Sequence, residues 1–187
     1  MSVELARRVV HLLGDHKLTI GFAESMTGGL LASTLISVPG ASNVVRGSLV
    51  TYAADTKVSV LGVDSQLIAT RTVFDPEVAS QMARGAQLVL GSDLAIATTG
   101  VAGPFPQDGH PVGEVFIGFH ERAGLSFFEP GETLSLSLGV LAVEDPEETR
   151  ARIRHAVVRA SLALLASRLE PHHEDPDDPM GSVPHIL

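Results

Sequence analysis

A chain of 187 residues fits one globular domain, and 44% hydrophobic with 19% charged residues supplies a core while excluding a disordered, highly charged chain. The lack of cysteine excludes disulfides, thiolate metal centres and a cysteine nucleophile, so covalent hydrolysis must use oxygen. With 22 Asp and Glu against 13 Lys and Arg, the net charge of −9 argues against a general nucleic-acid surface, whose affinity comes from cationic contacts to phosphate.

In chain order, Leu5, Val9, Leu12 and Leu13 recur at helical spacing and predict a helix over 3–13, stopped by Gly14 as a left-handed cap. Glu4, Arg7, Arg8 and Asp15 interrupt this stretch, so it is not a signal sequence. The longest uncharged run, Ser25 to Val45, is broken by Gly28, Gly29, Pro39 and Gly40 and is not a membrane span. A cytoplasmic protein without membrane contact is the expectation. Residues 18–22 read as a buried strand, followed by a turn and a helix from about Thr27 to Ile36. Residues 47–52 predict a second strand, after which Asp55 is placed to cap a short helix ending at Leu61.

Asp75-Pro76-Glu77 combines a capping carboxylate, a first-turn proline and an acid at the positive dipole end. It predicts a helix to Leu90 with Val78, Met82, Ala86 and Val89 facing the core and Gly91 stopping it. Residues 94–98 read as a buried strand, and Val115, Ile117 and Phe119 alternate along another. Asp145-Pro146-Glu147-Glu148 repeats the start signal before a closing helix to Leu169, with Ile153, Val157, Ala160 and Leu164 on one side. Helices alternating with buried strands imply an α/β layered fold whose central sheet is mostly parallel, covered on both faces, with room for antiparallel pairing at one edge. Residues 1–170 are expected to form the domain. Residues 171–187, rich in acids and prolines, are expected to form a flexible tail.

Three segments carry candidate chemistry, each at the C-terminal edge of a predicted strand, where open α/β sheets bind ligands. In Ala23-Glu24-Ser25-Met26-Thr27-Gly28-Gly29, Ser25 stands at the mouth of a turn whose amides could receive a phosphate or an oxyanion. The same residues also suit plain helix capping. In Thr51-Tyr52-Ala53-Ala54-Asp55-Thr56-Lys57, Lys57 would reach Ser25 if the two strands are parallel neighbours. As a base near neutral pH it would need its pKa of ~10.4 lowered by roughly 3, about 4 kcal/mol. Burial or a Tyr52 hydrogen bond would have to outweigh Glu24 and Asp55; a solvated lysine is the competing reading. The third segment, Thr98-Thr99-Gly100-Val101-Ala102-Gly103-Pro104, lacks the third glycine and following helix of a dinucleotide fingerprint, and reads as a pocket-lining loop or a long connection. His11, His16, His120 and His155 show no metal spacing, His172 and His173 lack a rigid frame, and His110 reads as a surface residue. No metal or cofactor is expected.

Taken in order, AESMTGGLLASTLISVPGAS, GSLVTYAADTKVSVLGV, TTGVAGP and HPVGEVFIG resemble the CinA C-terminal domain family over about residues 3–169. The resemblance implies a three-layer α/β/α sandwich that commonly self-associates, so a homo-oligomer is expected. It is to the stand-alone form, without the N-terminal molybdopterin-binding-like domain of two-domain relatives. The family's best-known members are nicotinamide-nucleotide amidohydrolases, which implies conversion of nicotinamide mononucleotide, or a related small nucleotide, to the nicotinate form and ammonia, without a cofactor.

By resemblance, Ser25 is the nucleophile, Lys57 the general base and then acid, and Tyr52 a hydrogen-bonding or relay partner. Glu24, Thr27, Gly28, Gly29, Thr99, Gly100, Ala102, Gly103 and Arg150 are expected to bind substrate, with Arg150 offsetting phosphate charge. The amides from Met26 to Gly29 are the candidates for oxyanion or phosphate binding. The chain departs from the family at Met26, often cysteine in relatives, at Ala53-Ala54, often Ser-Asn, and at Glu148-Thr149, usually Gly-Asp. Against the hydrolase stands a non-catalytic nucleotide-binding or partner-binding protein of the same fold, and a serine-lysine amidase acting on another amide.

Overall fold

The computed structural model describes residues 2–170. The tail at 171–187, with His172 and His173, lies outside the described residues. A five-stranded sheet of order β2-β1-β3-β4-β5 comprises β1 (Ile20–Glu24), β2 (Val45–Val50), β3 (Leu94–Gly100), β4 (Glu114–Glu121) and β5 (Thr133–Ser137). β2 and β3 run parallel to β1, β4 pairs antiparallel with β3 and β5, and β4 alone is reversed. The sheet is therefore mixed, with the β1, β2 and β3 C-termini on one edge.

The two faces differ in side-chain size, and this sorts the helices. Ile20, Phe22, Leu94, Ile96, Val115, Ile117 and Phe119 form one core with α1 (Ser2–Asp15), α2 (Leu30–Ile36) and α6 (Pro146–Leu169). Ala23, Ala95 and Ala97 face α5 (Pro76–Leu90) with Leu61 and Val63, next to α3 (Ala54–Leu61) and α4 (Ser65–Arg71). Small residues let α5 approach the sheet backbone: a Cβ on Gly118 would lie 2.2 Å from the Ala79 carbonyl oxygen. The result is the three-layer α/β/α sandwich, and half-buried positions on β5 close the far edge. No described helix is long and apolar enough to cross a membrane.

The start signals act as expected: Asp75 accepts the Glu77 N–H, Asp145 accepts those of Glu147 and Glu148, and Gly91 caps α5 at φ 59°. Some details differ. Helix α1 continues through Gly14, and Lys17 at φ 56° makes the left-handed turn while Leu18 N–H closes on the Leu13 carbonyl. Asp55 lies inside the first turn of α3, whose cap position is Ala53. Val89 is exposed because Leu90 fills the space above Gly21 and Gly47, glycines that leave room for it. Leu164 is half-buried. Helix α4, capped by Asp64 but burying no residue, and the amphipathic edge strand β5 were not predicted from the sequence pattern.

Candidate active site

The sheet places the site. Ser25 N–H donates to the Thr98 carbonyl at 3.0 Å and Thr51 N–H to the Glu24 carbonyl at 3.0 Å, carrying both parallel ladders one residue past the strand ends. Ser25 and Thr51 are thereby held side by side at the C-terminal edge. Helix α3 then turns back so that Lys57, fully buried, points its amine under this edge. Lys57 Nζ lies 3.0 Å from Ser25 Oγ, 2.7 Å from the Thr51 carbonyl oxygen and 3.2 Å from that of Tyr52. Burial lowers the Lys57 pKa from 10.5 to about 8. No carboxylate among the described residues forms an ion pair with it.

The amine is satisfied in both protonation states. A neutral amine has two N–H donors for the two carbonyls and one lone pair for the Ser25 O–H; an ammonium donates to all three oxygens. A proton can pass from Ser25 to Lys57 without displacing a heavy atom.

The two acids expected to oppose this are otherwise engaged. The fully buried Glu24 carboxylate accepts N–H groups of Gly29, Leu31 and Ala32 at 2.9–3.0 Å and the Ser48 hydroxyl at 3.0 Å. Glu24 is therefore an internal anchor for the start of α2 rather than a substrate ligand. Asp55, exposed, accepts the Thr56 N–H.

This anchoring corrects the expected anion site. Gly29 N–H is spent on Glu24, and Gly28 N–H donates to the Ser25 carbonyl at 3.1 Å. Among the described residues the Met26 and Thr27 N–H groups have no acceptor, but Thr27 is wholly enclosed, so of the four candidate amides only that of Met26 is left to meet an oxyanion. The Met26 side chain is packed in the core. Thr27, fully buried, pairs its hydroxyl with that of Thr98 at 2.7 Å and braces the turn from inside.

Tyr52 reaches Lys57 through its carbonyl, while its side chain is 64% exposed, and its hydroxyl makes no bond to the amine. Thr99 is buried with its hydroxyl donated to the Val73 carbonyl at 2.8 Å. Gly100 belongs to β3, where a Cβ would lie 2.6 Å from the Glu114 carbonyl oxygen. Ala102 is core, and Gly103 turns at φ 87° with its carbonyl bound by Arg150 Nη1. Thr99 and Ala102 thus support the third loop from inside instead of facing a ligand.

Sequence reasoning missed Arg154, one helical turn beyond Arg150 on α6. Its Nη2 donates to the Thr27 carbonyl at 2.7 Å across 127 residues. The i, i+4 pair of arginines on one helix face was the visible signal. His110, read as a surface residue, is half-buried between Glu114 and Thr72. No group of three or more His, Asp or Glu among the described residues is arranged to hold a metal ion.

The sequence model of the CinA C-terminal domain matches residues 2–169. The chain belongs to this family. A putative competence-damage inducible protein of Limosilactobacillus fermentum is 38% identical over 168 residues, covering 90% of this chain and 38% of the relative. A CinA-like protein of Frankia casuarinae is 48% identical over 110 residues, covering 59% of this chain and 25% of the relative. The chain thus spans well under half the length of these curated relatives. Among solved structures, the competence/damage inducible protein CihA from Agrobacterium tumefaciens superposes with a TM-score of 0.79 at 33% identity, covering 90% of this chain and 96% of that one. A CinA superfamily protein from Klebsiella pneumoniae gives 0.79 at 27% identity, covering 90% and 98%. The Ser25, Lys57 and glycine-loop geometry therefore lies within a CinA-type domain.

Proposed function

We propose that this CinA domain is an amidohydrolase that converts nicotinamide mononucleotide to nicotinate mononucleotide and ammonia through a serine-lysine pair. The observation that carries the proposal is the buried Lys57 amine, with two carbonyls on its N–H groups and its remaining contact on Ser25 Oγ at 3.0 Å. The Ser25 oxygen attacks the carboxamide carbon as Lys57 takes its proton, and negative charge gathers on the amide oxygen, where the Met26 N–H receives it. The Lys57 ammonium then protonates the departing nitrogen, releasing ammonia and leaving an acyl-Ser25 ester. Water attacks the ester while Lys57 takes its proton, giving the carboxylate and restoring Ser25.

Two further features support a phosphorylated substrate. Arg150 stands beside the Gly103 turn and forms no ion pair among the described residues, leaving positive charge to balance a phosphate. The exposed Tyr52 ring is free to lie against a ligand. Ala53 and Ala54, the departure that favours a non-catalytic binder, are both exposed, and the amine is held by the carbonyls of Thr51 and Tyr52 instead.

The test is incubation of the purified protein with nicotinamide mononucleotide, measuring ammonia and nicotinate mononucleotide. Turnover that vanishes in Ser25→Ala and Lys57→Ala supports the assignment. Undiminished turnover in either variant overturns it, and nucleotide binding without turnover selects the non-catalytic reading.

A further inference from the structure

We propose that Arg154 is a positioning residue of the Ser25 centre, holding Thr27 so that the adjoining Met26 amide faces the place where negative charge forms. The inference rests on the hydrolase reading for its reaction, but on the geometry of the turn for its substance. Thr27 is tied at two points: its hydroxyl meets that of Thr98 at 2.7 Å, and its carbonyl receives Arg154 Nη2 at 2.7 Å and the Leu30 N–H at 3.1 Å. A residue bonded at both side chain and carbonyl has little freedom to move, and Met26, joined to it, is held between it and Ser25. Its neighbours need that restraint, because Gly28 and Gly29 follow at φ 58° and 91°, a pair with wide backbone freedom. Arg154 Nη2 packs over this turn, 3.7 Å from where a Cβ of Gly28 would stand.

The way Arg154 is held argues that stability is not its purpose. Among the described residues its Nε is buried with no hydrogen-bond partner, a costly state for a charged group. Elsewhere on α6, Arg152 pairs with Glu148 and Arg168 with Glu132. Among the described residues Arg154 has no such acid, and it spends a donor on one backbone carbonyl next to the nucleophile. Nor does this edge of the guanidinium contact a ligand: Nε is inaccessible and Nη2 is already bonded to Thr27. The residue acts through Thr27.

The test compares Arg154→Met and Arg154→Lys with the wild-type chain. Hydrolysis of nicotinamide mononucleotide gives kcat and KM, and thermal unfolding gives Tm. The rate at which a fluorophosphonate labels Ser25 reads the nucleophile and its oxyanion donor whatever the natural amide. The expected result for Arg154→Met is a kcat about tenfold lower or less, KM within about twofold, an undiminished Tm, and labelling slowed by a similar factor, with Arg154→Lys recovering part of both rates. A raised KM with unchanged kcat would make Arg154 a substrate contact and overturn the inference. A lowered Tm with no recovery in Arg154→Lys would make it structural, and unchanged kcat and labelling would leave it no role; either also overturns it. If the wild-type chain leaves the nucleotide untouched yet labels at Ser25, and Arg154→Met slows labelling, the substrate reading fails and the positioning role stands.

Discussion

Glu24 Oε2 accepts the Gly29 N–H at 2.9 Å, from a carboxylate whose neighbour in the chain is Ser25. With Leu31, Ala32 and Ser48 also on this carboxylate, one buried acid ties the end of β1 to the start of α2 and to β2. The nucleophile's backbone is thereby fixed from below, and the positive end of α2 is already neutralised. Glu24→Gln keeps the shape but turns one acceptor into a donor among N–H groups, so the variant is expected to lose about 3 kcal/mol of unfolding free energy. Urea denaturation measures this; a loss under about 0.5 kcal/mol would show that the carboxylate is not the anchor described.

The low Lys57 pKa sets the direction of the pH dependence. Only the neutral amine can take the Ser25 proton, and desolvation brings its pKa down to about 8. The rate should climb from pH 6 and level off above about 8. A profile of kcat/KM that is flat from pH 6 to about 9 would count against lysine as the base.

Folding stability carries the same signature. Below pH 8 the folded and unfolded chains both hold the Lys57 proton, and the folded one bears the full cost of burying it. Between about 8 and 10.5 the unfolded chain binds a proton that the folded chain lacks, so stability rises with pH across that window. The pKa difference amounts to about 3 kcal/mol. Lys57→Met lacks this dependence, and the unpaired Thr51 and Tyr52 carbonyls it leaves cost the same at every pH. Relative to Lys57→Met, the wild-type chain is expected to gain about 3 kcal/mol between pH 7 and about 10.5. Parallel denaturation curves at the two pH values decide it: a constant difference would mean the amine is not desolvated.

These relationships divide by how local their signals are. The meeting of Ser25 and Lys57, 32 residues apart, was legible because each follows a short strand, and parallel neighbouring strands must end on the same edge. The helix starts at Asp75 and Asp145 were legible from three residues each. What Glu24 does was not, because a carboxylate beside a serine looks the same in sequence whether it faces a ligand or its own helix. Tyr52 drew attention by its side chain, yet its contribution to Lys57 is a carbonyl, which any residue carries. The spacing of Arg150 and Arg154 marks a shared helix face, but which turn that face meets, 127 residues away, depends on how α6 packs. Gly14 failed as a helix stop because the chain could turn three residues later at Lys17.

The loop before β4 supplies a last expectation. His110 Nδ1 lies 2.5 Å from Glu114 Oε2, its Nε2 lies 3.1 Å from Thr72 Oγ1, and its ring packs 5.4 Å from that of Phe74. Thr72 also accepts the Phe74 N–H while holding φ at 64°, a conformation a β-branched residue adopts only under constraint. His110 therefore latches the glycine-proline loop to the segment before α5, the same segment that Thr99 grips through the Val73 carbonyl. Since Gly103 opens that loop, His110→Ala is expected to loosen one wall of the site without reaching Ser25 or Lys57. KM should rise about threefold or more with kcat little changed, because ground-state and transition-state binding weaken together. Stability should fall by about 1 kcal/mol, and amide hydrogen exchange should quicken over residues 104–113. A drop in kcat at constant KM, or exchange in that loop as slow as in the wild type, would show that the latch does not hold the loop.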